Sequence, residues 1–180
     1  RFPVAAVYEA RARAALKAVF GYDDFRPGQG EIVGWIRAGE DVLAVMPTGS
    51  GKSMCYQLPA VLDGGLTIVV SPLIALMRDQ VRQLKAVGVA AATLNAGSGP
   101  AEIDDAWRLL ENGELRLLFL SPERLANDNL LARLRTADVR RLAIDEAHCV
   151  SQWGHDFRPE YRRLAAAREQ LAPVQVVAFT

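Results

Sequence analysis

The segment Met46-Pro47-Thr48-Gly49-Ser50-Gly51-Lys52-Ser53 follows an apolar run that is typical of a buried strand, Asp41–Met46, and opens a stretch with helical periodicity, Lys52–Leu62. Its glycines allow the backbone to curl so that several N–H groups converge on phosphate oxygens, and the following helix adds the positive end of its dipole. Lys52 would offer a cation to the terminal phosphates, and Ser53 a hydroxyl to Mg²⁺. The segment therefore predicts a loop that binds the phosphates of ATP through Thr48, Gly49, Ser50, Gly51, Lys52 and Ser53.

One position of this loop departs from the general pattern Gly-x-x-x-x-Gly-Lys-Ser/Thr. Met46 stands where the first glycine is usual, so a strict pattern search would miss the loop. The alternative interpretation is a glycine-rich turn before a helix, with Lys52 merely solvated.

Strand-like and helix-like segments alternate along the rest of the chain. The apolar, β-branched runs are Asp41–Met46, Leu66–Ser71, Ala91–Asn95, Leu115–Ser121, Arg141–Asp145 and Val174–Thr180. The helical stretches are Val4–Val19, Gln29–Ala38, Lys52–Leu62, Leu73–Val87, Ala101–Glu111, Asn129–Thr136 and Tyr161–Leu171. This alternation predicts an α/β fold, a mostly parallel sheet with helices on both faces. Because no linker or repeat interrupts it, residues 1–180 are expected to form one domain.

Two adjacent carboxylates, Asp145 and Glu146, end one of these apolar runs. Ligands of open α/β sheets bind at the carboxyl ends of the strands, so the pair is expected to face the phosphate loop. Asp145 could hold Mg²⁺, and Glu146 could act as general base toward the attacking water. Lys52, Asp145 and Glu146 are thus the predicted catalytic residues. The alternative is an acidic helix N-terminus that the dipole stabilises.

Composition excludes some classes of protein and leaves others open. The 21 basic and 21 acidic residues cancel, so any surface that follows a phosphate backbone must be local. Two separated cysteines predict neither a disulfide framework nor a zinc site. No apolar run approaches the ~18 residues that cross a bilayer. We therefore expect a cytoplasmic protein without a membrane partner.

Six segments together carry a resemblance to a known family. They are Phe20–Gln29 (FGYDDFRPGQ), Gly51–Ala60 (GKSMCYQLPA), Ser71–Val81 (SPLIALMRDQV), Ser121–Leu125 (SPERL), Asp145–Cys149 (DEAHC) and Val150–Tyr161 (VSQWGHDFRPEY). They resemble the motifs of the RecQ DNA helicases within helicase superfamily 2, including the methionine at the first glycine position of the phosphate loop. The resemblance implies a RecA-like P-loop NTPase domain, the first motor domain of such an enzyme.

The resemblance also implies how the base of the nucleotide is held. Gln29 would read the adenine edge, since an amide can both donate and accept hydrogen bonds. Tyr22 and Arg26 would enclose the base between a ring and a planar guanidinium. The alternative for Tyr22 and Phe25 is an ordinary hydrophobic staple before a helix.

Further residues would contact DNA by the same resemblance. Hydroxyls and arginines at or just past strand ends would touch the backbone of a single strand, with helix caps and solvated arginines as the alternative; these residues are Ser71, Arg78, Ser121 and Arg124. An aromatic-rich loop would stack unpaired bases and relay strand binding to the acidic pair, with a core aromatic cluster as the alternative; its residues are Trp153, His155, Phe157 and Arg158. From its position next to the acidic pair, His148 would relay nucleotide state to a neighbouring loop, with a packed or capping histidine as the alternative.

The expected activity is ATP-driven movement along one DNA strand in the 3′-to-5′ direction, with unwinding of duplex DNA in repair and recombination. Single-stranded and duplex DNA are the expected partners, together with a second RecA-like domain that follows Thr180. These 180 residues alone are expected to bind ATP without unwinding. A superfamily 2 RNA helicase and a nucleotide-gated binding module without motor activity remain open. The Ala96–Pro100 stretch departs from the polar run common in the family, which weakens any role of this stretch in DNA contact.

Overall fold

The chain was examined as a computed structural model that describes residues 3–151 and 158–180, with side chains from residue 9 onward. Its strands are β1 (Val42–Ala44), β2 (Leu66–Val70), β3 (Ala91–Leu94), β4 (Leu117–Leu120), β5 (Val139–Ile144) and β6 (Gln175–Phe179). Its α-helices are α1 (Pro3–Ala15), α2 (Gln29–Arg37), α3 (Lys52–Asp63), α4 (Ile74–Ala86), α5 (Pro100–Glu111), α6 (Pro122–Leu125), α7 (Asp128–Leu134) and α8 (Leu164–Leu171).

The strands form one parallel sheet in the order β1-β6-β5-β2-β4-β3. Parallel neighbours cannot be joined by a tight turn, so helices carry the chain from one strand to the next. The central strands β2 and β4 are buried along their whole length, as their continuous apolar sequences require. The predicted parallel α/β fold is confirmed.

Helices cover both faces of the sheet. Helical side chains of α1 to α4, such as Leu58 and Met77, pack with side chains of the strands into one core cluster. Helical side chains of α5 to α8, such as Leu131 and Leu164, pack into a second cluster on the other face. The prediction of helices on both faces is therefore confirmed. None of the helices described here is both long and apolar enough to span a bilayer.

The structure corrects some predicted boundaries. The first helix is α-helical only to Ala15 and continues as a π-helical turn, Leu16–Phe20, that ends at a left-handed Gly21. The predicted helix Tyr161–Leu171 begins as a 3₁₀ turn, Pro159–Arg163, because the proline fixes an N-terminal position and the α-helix starts only afterwards. The short helix α6 was not predicted, since four residues show no periodicity.

Strand β1 is shorter than the predicted Asp41–Met46. It lies at the edge of the sheet, and among the described strands it pairs only with β6. Leu43 in this strand and Val45 just after it are 69% and 77% exposed. The hydrogen bond from Met46 N to Thr180 O continues the pairing with β6 beyond the end of the strand.

A network of charged and polar side chains connects two helices to two strands at the amino edge of the sheet. Asp63 accepts from Arg37 Nε at 2.9 Å and from Arg141 Nη2 at 3.1 Å. Arg141 is only 5% exposed and also donates to Gln175 Oε1 at 2.7 Å. Burial lowers the pKa of Arg141, and the Asp63 carboxylate opposes that effect. The network ties α2 and α3 to β5 and β6, at the end of the sheet away from the phosphate loop.

We predict that Asp63→Asn lowers the free energy of unfolding by about 3 kcal/mol, because it leaves the buried Arg141 guanidinium without its counter-charge. Asp138→Asn is the matched control, since Asp138 pairs with Arg140 at an exposed site and should change stability by at most about 1 kcal/mol. Urea unfolding of both variants measures the difference. Equal losses in the two variants would contradict the role given to Asp63.

Candidate nucleotide-binding and catalytic site

The carboxyl ends of the parallel strands gather polar residues at one edge of the sheet. The pairs Val70↔Ile144 and Ile144↔Ala178 show that β2, β5 and β6 end in register. The polar residues that follow the strands are Ser71 after β2, Asn95 after β3, Ser121 after β4, Asp145 after β5 and Thr180 after β6. The phosphate loop follows β1 at this same edge. The sequence-predicted site residues that follow strands are thus brought together.

The phosphate loop has the backbone that its glycines predict. Gly49 and Gly51 adopt φ values of 78° and 82°, in the left-handed region that other residues avoid. Between them, Ser50 closes the turn, because its N–H and its hydroxyl both donate to Pro47 O, at 3.2 and 2.6 Å. Helix α3 then begins at Lys52, as predicted. The amino end of α3 and its orphan N–H groups therefore open onto the loop.

Two residues, one just before α2 and one at its start, donate hydrogen bonds to backbone carbonyls of the phosphate loop. Arg26 donates from Nη1 to Gly49 O at 2.7 Å, and Gln29 donates from Nε2 to Gly51 O at 2.8 Å. The side-chain oxygen of Gln29, Oε1, in turn accepts a hydrogen bond from Arg26 N at 2.8 Å. A Cβ at position 51 would lie 2.4 Å from Gln29 Nε2, so this approach also requires glycine. The two residues predicted to hold the base therefore lie directly against the phosphate loop.

Tyr22, the third residue predicted at the base, lies on the connection that precedes α2. Its side chain is 54% exposed. An exposed aromatic ring beside Arg26 and Gln29 along the chain offers a flat apolar surface next to the loop.

Strand β6 links the phosphate loop to the acidic pair. Met46 N donates to Thr180 O at 2.9 Å, and Thr180 N donates to Ala44 O at 3.1 Å. On its other side, β6 pairs with β5, which ends at Asp145. One strand thus separates the loop from the carboxylates.

Asp145 is a buried acid at this edge. The residue is 7% exposed. Its N–H donates to Val70 O at 2.9 Å and thereby continues the pairing of β5 with β2. Burial raises the pKa of Asp145, while the hydrogen bond from Glu146 N and the positive charge of Lys52 oppose that rise.

Glu146 occupies a strained backbone conformation. Its φ of 53° and ψ of 45° are left-handed, and it is the one non-glycine residue with positive φ in the described part of the chain. Such a conformation costs about 1–3 kcal/mol and tends to occur at functional sites. Its carboxylate lies 3.4 Å from His148 Nε2, and His148 Nδ1 lies 3.0 Å from Thr180 Oγ1. Glu146, His148 and Thr180 therefore form a chain of contacts between β5 and β6.

The oxygen ligands at this edge fit Mg²⁺. Ser53 offers a hydroxyl and Asp145 a carboxylate, both hard donors. Among residues 9–151 and 158–180, no three His, Cys, Asp or Glu side chains cluster as a metal site would require. Mg²⁺ in phosphate-transfer sites needs only one or two protein oxygens beside phosphate and water, so the donor set suits it.

Of the four residues predicted to contact a nucleic-acid backbone, the two arginines contact the same turn. Ser71 and Ser121 are buried where β2 and β4 end. Arg78 donates to Gly97 O at 2.6 Å, and Arg124 donates to Asn95 O at 3.5 Å. Both arginines therefore converge on the turn after β3, in the stretch whose sequence had weakened a role in DNA contact.

The aromatic-rich segment is only partly described. Trp153, His155 and Phe157 lie outside the described residues. Arg158 is exposed, and its N–H donates to Cys149 O at 2.9 Å, next to the acidic pair.

Sequence reasoning missed three contributors to this edge: Thr180, Tyr161 and the Asn95–Gly97 turn. Thr180 contacts His148, and Tyr161 donates its hydroxyl to Asp145 O at 3.0 Å. For Thr180 and Asn95 the signal was available, since a polar residue directly after a buried strand lies at the ligand edge. Nothing in the spacing of Tyr161 indicated its partner.

Comparison with known proteins agrees with this geometry. Residues 26–180 match the family DEAD/DEAH box helicase. The chain is 46% identical over 169 residues to the ATP-dependent DNA helicase RecQ of Haemophilus influenzae, and 44% identical over 168 residues to that of Bacillus subtilis. These alignments cover 94% and 93% of this chain but 27% and 28% of the relatives, so the chain spans about a quarter of their length.

The fold is also found in solved helicase structures. The Mycobacterium smegmatis helicase Lhr, in its structure bound to ssDNA and AMP-PNP, superposes with a TM-score of 0.69 at 20% identity, over 99% of this chain and 24% of that one. This likeness concerns the fold, and the predicted RecA-like domain is confirmed. The resemblance to RecQ helicases is confirmed as well. The chain therefore belongs to the DEAD/DEAH box helicase family.

Proposed function

We propose that this chain is the ATP-binding motor domain of a RecQ-type DNA helicase, which hydrolyses ATP to move 3′-to-5′ along one strand and to unwind duplex DNA. The observation that carries the proposal is that the phosphate loop with Lys52 and the Asp145–Glu146 pair follow β1 and β5 at one edge of the sheet, joined through β6. A binding module without turnover has no use for a second carboxylate beside the first.

Nucleotide binding follows from the loop geometry. The amino end of α3, which begins at Lys52, would offer backbone N–H groups to phosphate oxygens, and the Lys52 ammonium would add a charged donor. Arg26 and Gln29 keep the loop in its curled form through the carbonyls of Gly49 and Gly51. The exposed ring of Tyr22 offers a stacking surface for the base.

Hydrolysis is assigned to the acidic pair. Asp145 and Ser53 would hold Mg²⁺, which supplies charge neutralisation on the phosphates. Glu146 orients the attacking water and takes its proton. His148 lies within 3.4 Å of the Glu146 carboxylate and thereby restricts where that carboxylate can point.

A second RecA-like domain completes the proposed enzyme. The relatives are several times longer than this chain, which leaves room for such a domain. The family resemblance implies that it supplies an arginine across a cleft. A missing arginine of this kind costs ~10³–10⁵ in rate in related phosphoryl-transfer enzymes. These residues alone should therefore bind ATP and hydrolyse it poorly.

Single-stranded DNA is proposed to pass over the turn after β3. Arg78 and Arg124 reach this turn from α4 and α6, and Ser71 and Ser121 end the neighbouring strands. Arginines and hydroxyls are the usual partners of backbone phosphates. Because the net charge of the chain is zero, this local group must provide the attraction.

We predict that Lys52→Ala weakens ATP binding to this chain about 10- to 100-fold, the effect of losing a charged hydrogen bond to phosphate. Lys85→Ala, which changes an exposed lysine in the last turn of α4, should leave the affinity unchanged. Fluorescence titration with a labelled ATP analogue measures both variants. Identical affinities for the two variants would remove Lys52 from the phosphate site.

We predict that Glu146→Gln, in the complete protein, lowers kcat for ATP by at least about 100-fold while nucleotide affinity stays within a few-fold, because the amide cannot accept the proton. Glu169→Gln, on the exposed face of α8, is the control and should retain wild-type kcat. DNA-stimulated ATPase assays supply the rates. Turnover that survives in Glu146→Gln would show that another group is the base.

We predict that Arg78→Ala and Arg124→Ala each weaken binding of the complete protein to single-stranded DNA and reduce the salt dependence of binding by about one phosphate contact. Arg135→Ala, at the far end of α7, should have no effect. Fluorescence anisotropy at several salt concentrations measures the slope. ATPase assays of the complete protein with single-stranded DNA and with RNA separate the helicase classes, since stronger stimulation by RNA would overturn the DNA assignment.

A further inference from the structure

The peptide unit between Asp145 and Glu146 is held at both of its polar ends. Its carbonyl, Asp145 O, accepts from the Tyr161 hydroxyl at 3.0 Å. Its N–H, Glu146 N, donates to the Asp145 carboxylate at 3.0 Å. The two bonds come from different parts of the chain, one local and one from a residue 16 positions away. Together they fix the plane of this peptide.

The plane of this peptide decides the backbone conformation of Glu146. Rotation of a peptide plane changes ψ of the residue before it and φ of the residue after it, in opposite senses. Glu146 has φ of 53°, which is unfavourable for a residue with a side chain. A rotated plane would return φ to the common negative region and would redirect the glutamate side chain. The bond from Tyr161 opposes that rotation.

Tyr161 is built to act as a fixed donor. It is 2% exposed, and its ring belongs to the core cluster that includes Leu125 and Leu164. Its own N–H donates to Arg158 O at 3.0 Å, so its backbone is held as well. A buried ring cannot swing away, so the hydroxyl remains under Asp145 O.

We propose that Tyr161 is a positioning residue for ATP hydrolysis, whose hydroxyl holds the Asp145–Glu146 peptide in the orientation that aims the Glu146 carboxylate at the attacking water. The inference rests on the proposed function, because it needs Glu146 as the base. It gives Tyr161 no contact with nucleotide, so loss of the hydroxyl acts on the rate and spares binding.

The chain offers a matched control in a second buried tyrosine. Tyr56 is 1% exposed, and its hydroxyl donates to Gln80 Oε1 at 2.8 Å, a bond between α3 and α4. Tyr161→Phe and Tyr56→Phe each remove one hydroxyl and one buried hydrogen bond and leave the ring in the core. The two variants should therefore lose similar stability, which thermal unfolding verifies.

The rates of the complete protein then separate positioning from packing. Tyr161→Phe should lower kcat about 10- to 100-fold, the effect of a small misplacement of a catalytic group, with KM for ATP unchanged within about two-fold. Tyr56→Phe should retain wild-type kcat. Wild-type kcat in Tyr161→Phe, or an equal fall in both variants, overturns the inference. If Glu146→Gln also keeps turnover, the proposed function fails; if only Tyr161→Phe does, this inference fails alone.

A measurement without mutation tests the bond itself. In the unmodified chain, NMR should detect the Tyr161 hydroxyl proton in slow exchange with water, as it should for the buried and bonded Tyr56 hydroxyl. The Glu146 amide should also exchange slowly, and in Tyr161→Phe its exchange should accelerate about ten-fold or more while the amides of β5 stay protected. A rapidly exchanging Tyr161 hydroxyl beside a protected Tyr56 hydroxyl overturns the inference whatever the variants do.

Discussion

The backbone ladder that places β6 between β1 and β5 is the constraint on which the site depends. Met46 N and Thr180 O join the phosphate loop to β6, and the register of β5 with β6 sets how far Asp145 stands from that loop. Because adjacent strands lie about 4.8 Å apart, the width of β6 sets the separation between the phosphate loop and the carboxylates.

The two edges of the sheet use their charges in opposite ways. At the amino edge, the buried Arg141 pairs with Asp63 and donates a hydrogen bond to Gln175. Its charge therefore stabilises the packing of these elements against one another. At the carboxyl edge, Asp145 is almost as buried, yet burial raises its pKa and the opposing charge of Lys52 belongs to the loop that binds phosphate. A carboxylate left in this condition is stabilised further by a cation, which is the property a magnesium ligand needs.

Sequence reasoning reached the parts of the site that are local in the chain. The start of α3 at Lys52 and the left-handed Gly49 and Gly51 follow from the composition of a few neighbouring residues. The contacts of Thr180 with His148 and of Tyr161 with Asp145 O could not be predicted in the same way. They depend on strand order and on the path of the chain between elements, and neither is written in any short pattern. The same holds for the turn at Gly97, where Arg78 arrives from another helix.

At two positions of this edge, Met46 and Glu146, the backbone conformation and the side chain together decide whether glycine would fit. Met46 stands where the general phosphate-loop pattern has glycine, but its φ is not positive, and its side chain is buried in the core beneath the loop. A glycine there would remove packing and relieve no strain, so the departure is structurally sound. Glu146 is the reverse case, since its φ is positive and glycine would relieve the strain. A glycine carries no carboxylate, however, and the fold keeps the glutamate in its unfavourable conformation by bonding both ends of the preceding peptide. The proposed role of Glu146 as general base gives a reason why a side chain, and not glycine, occupies this strained position.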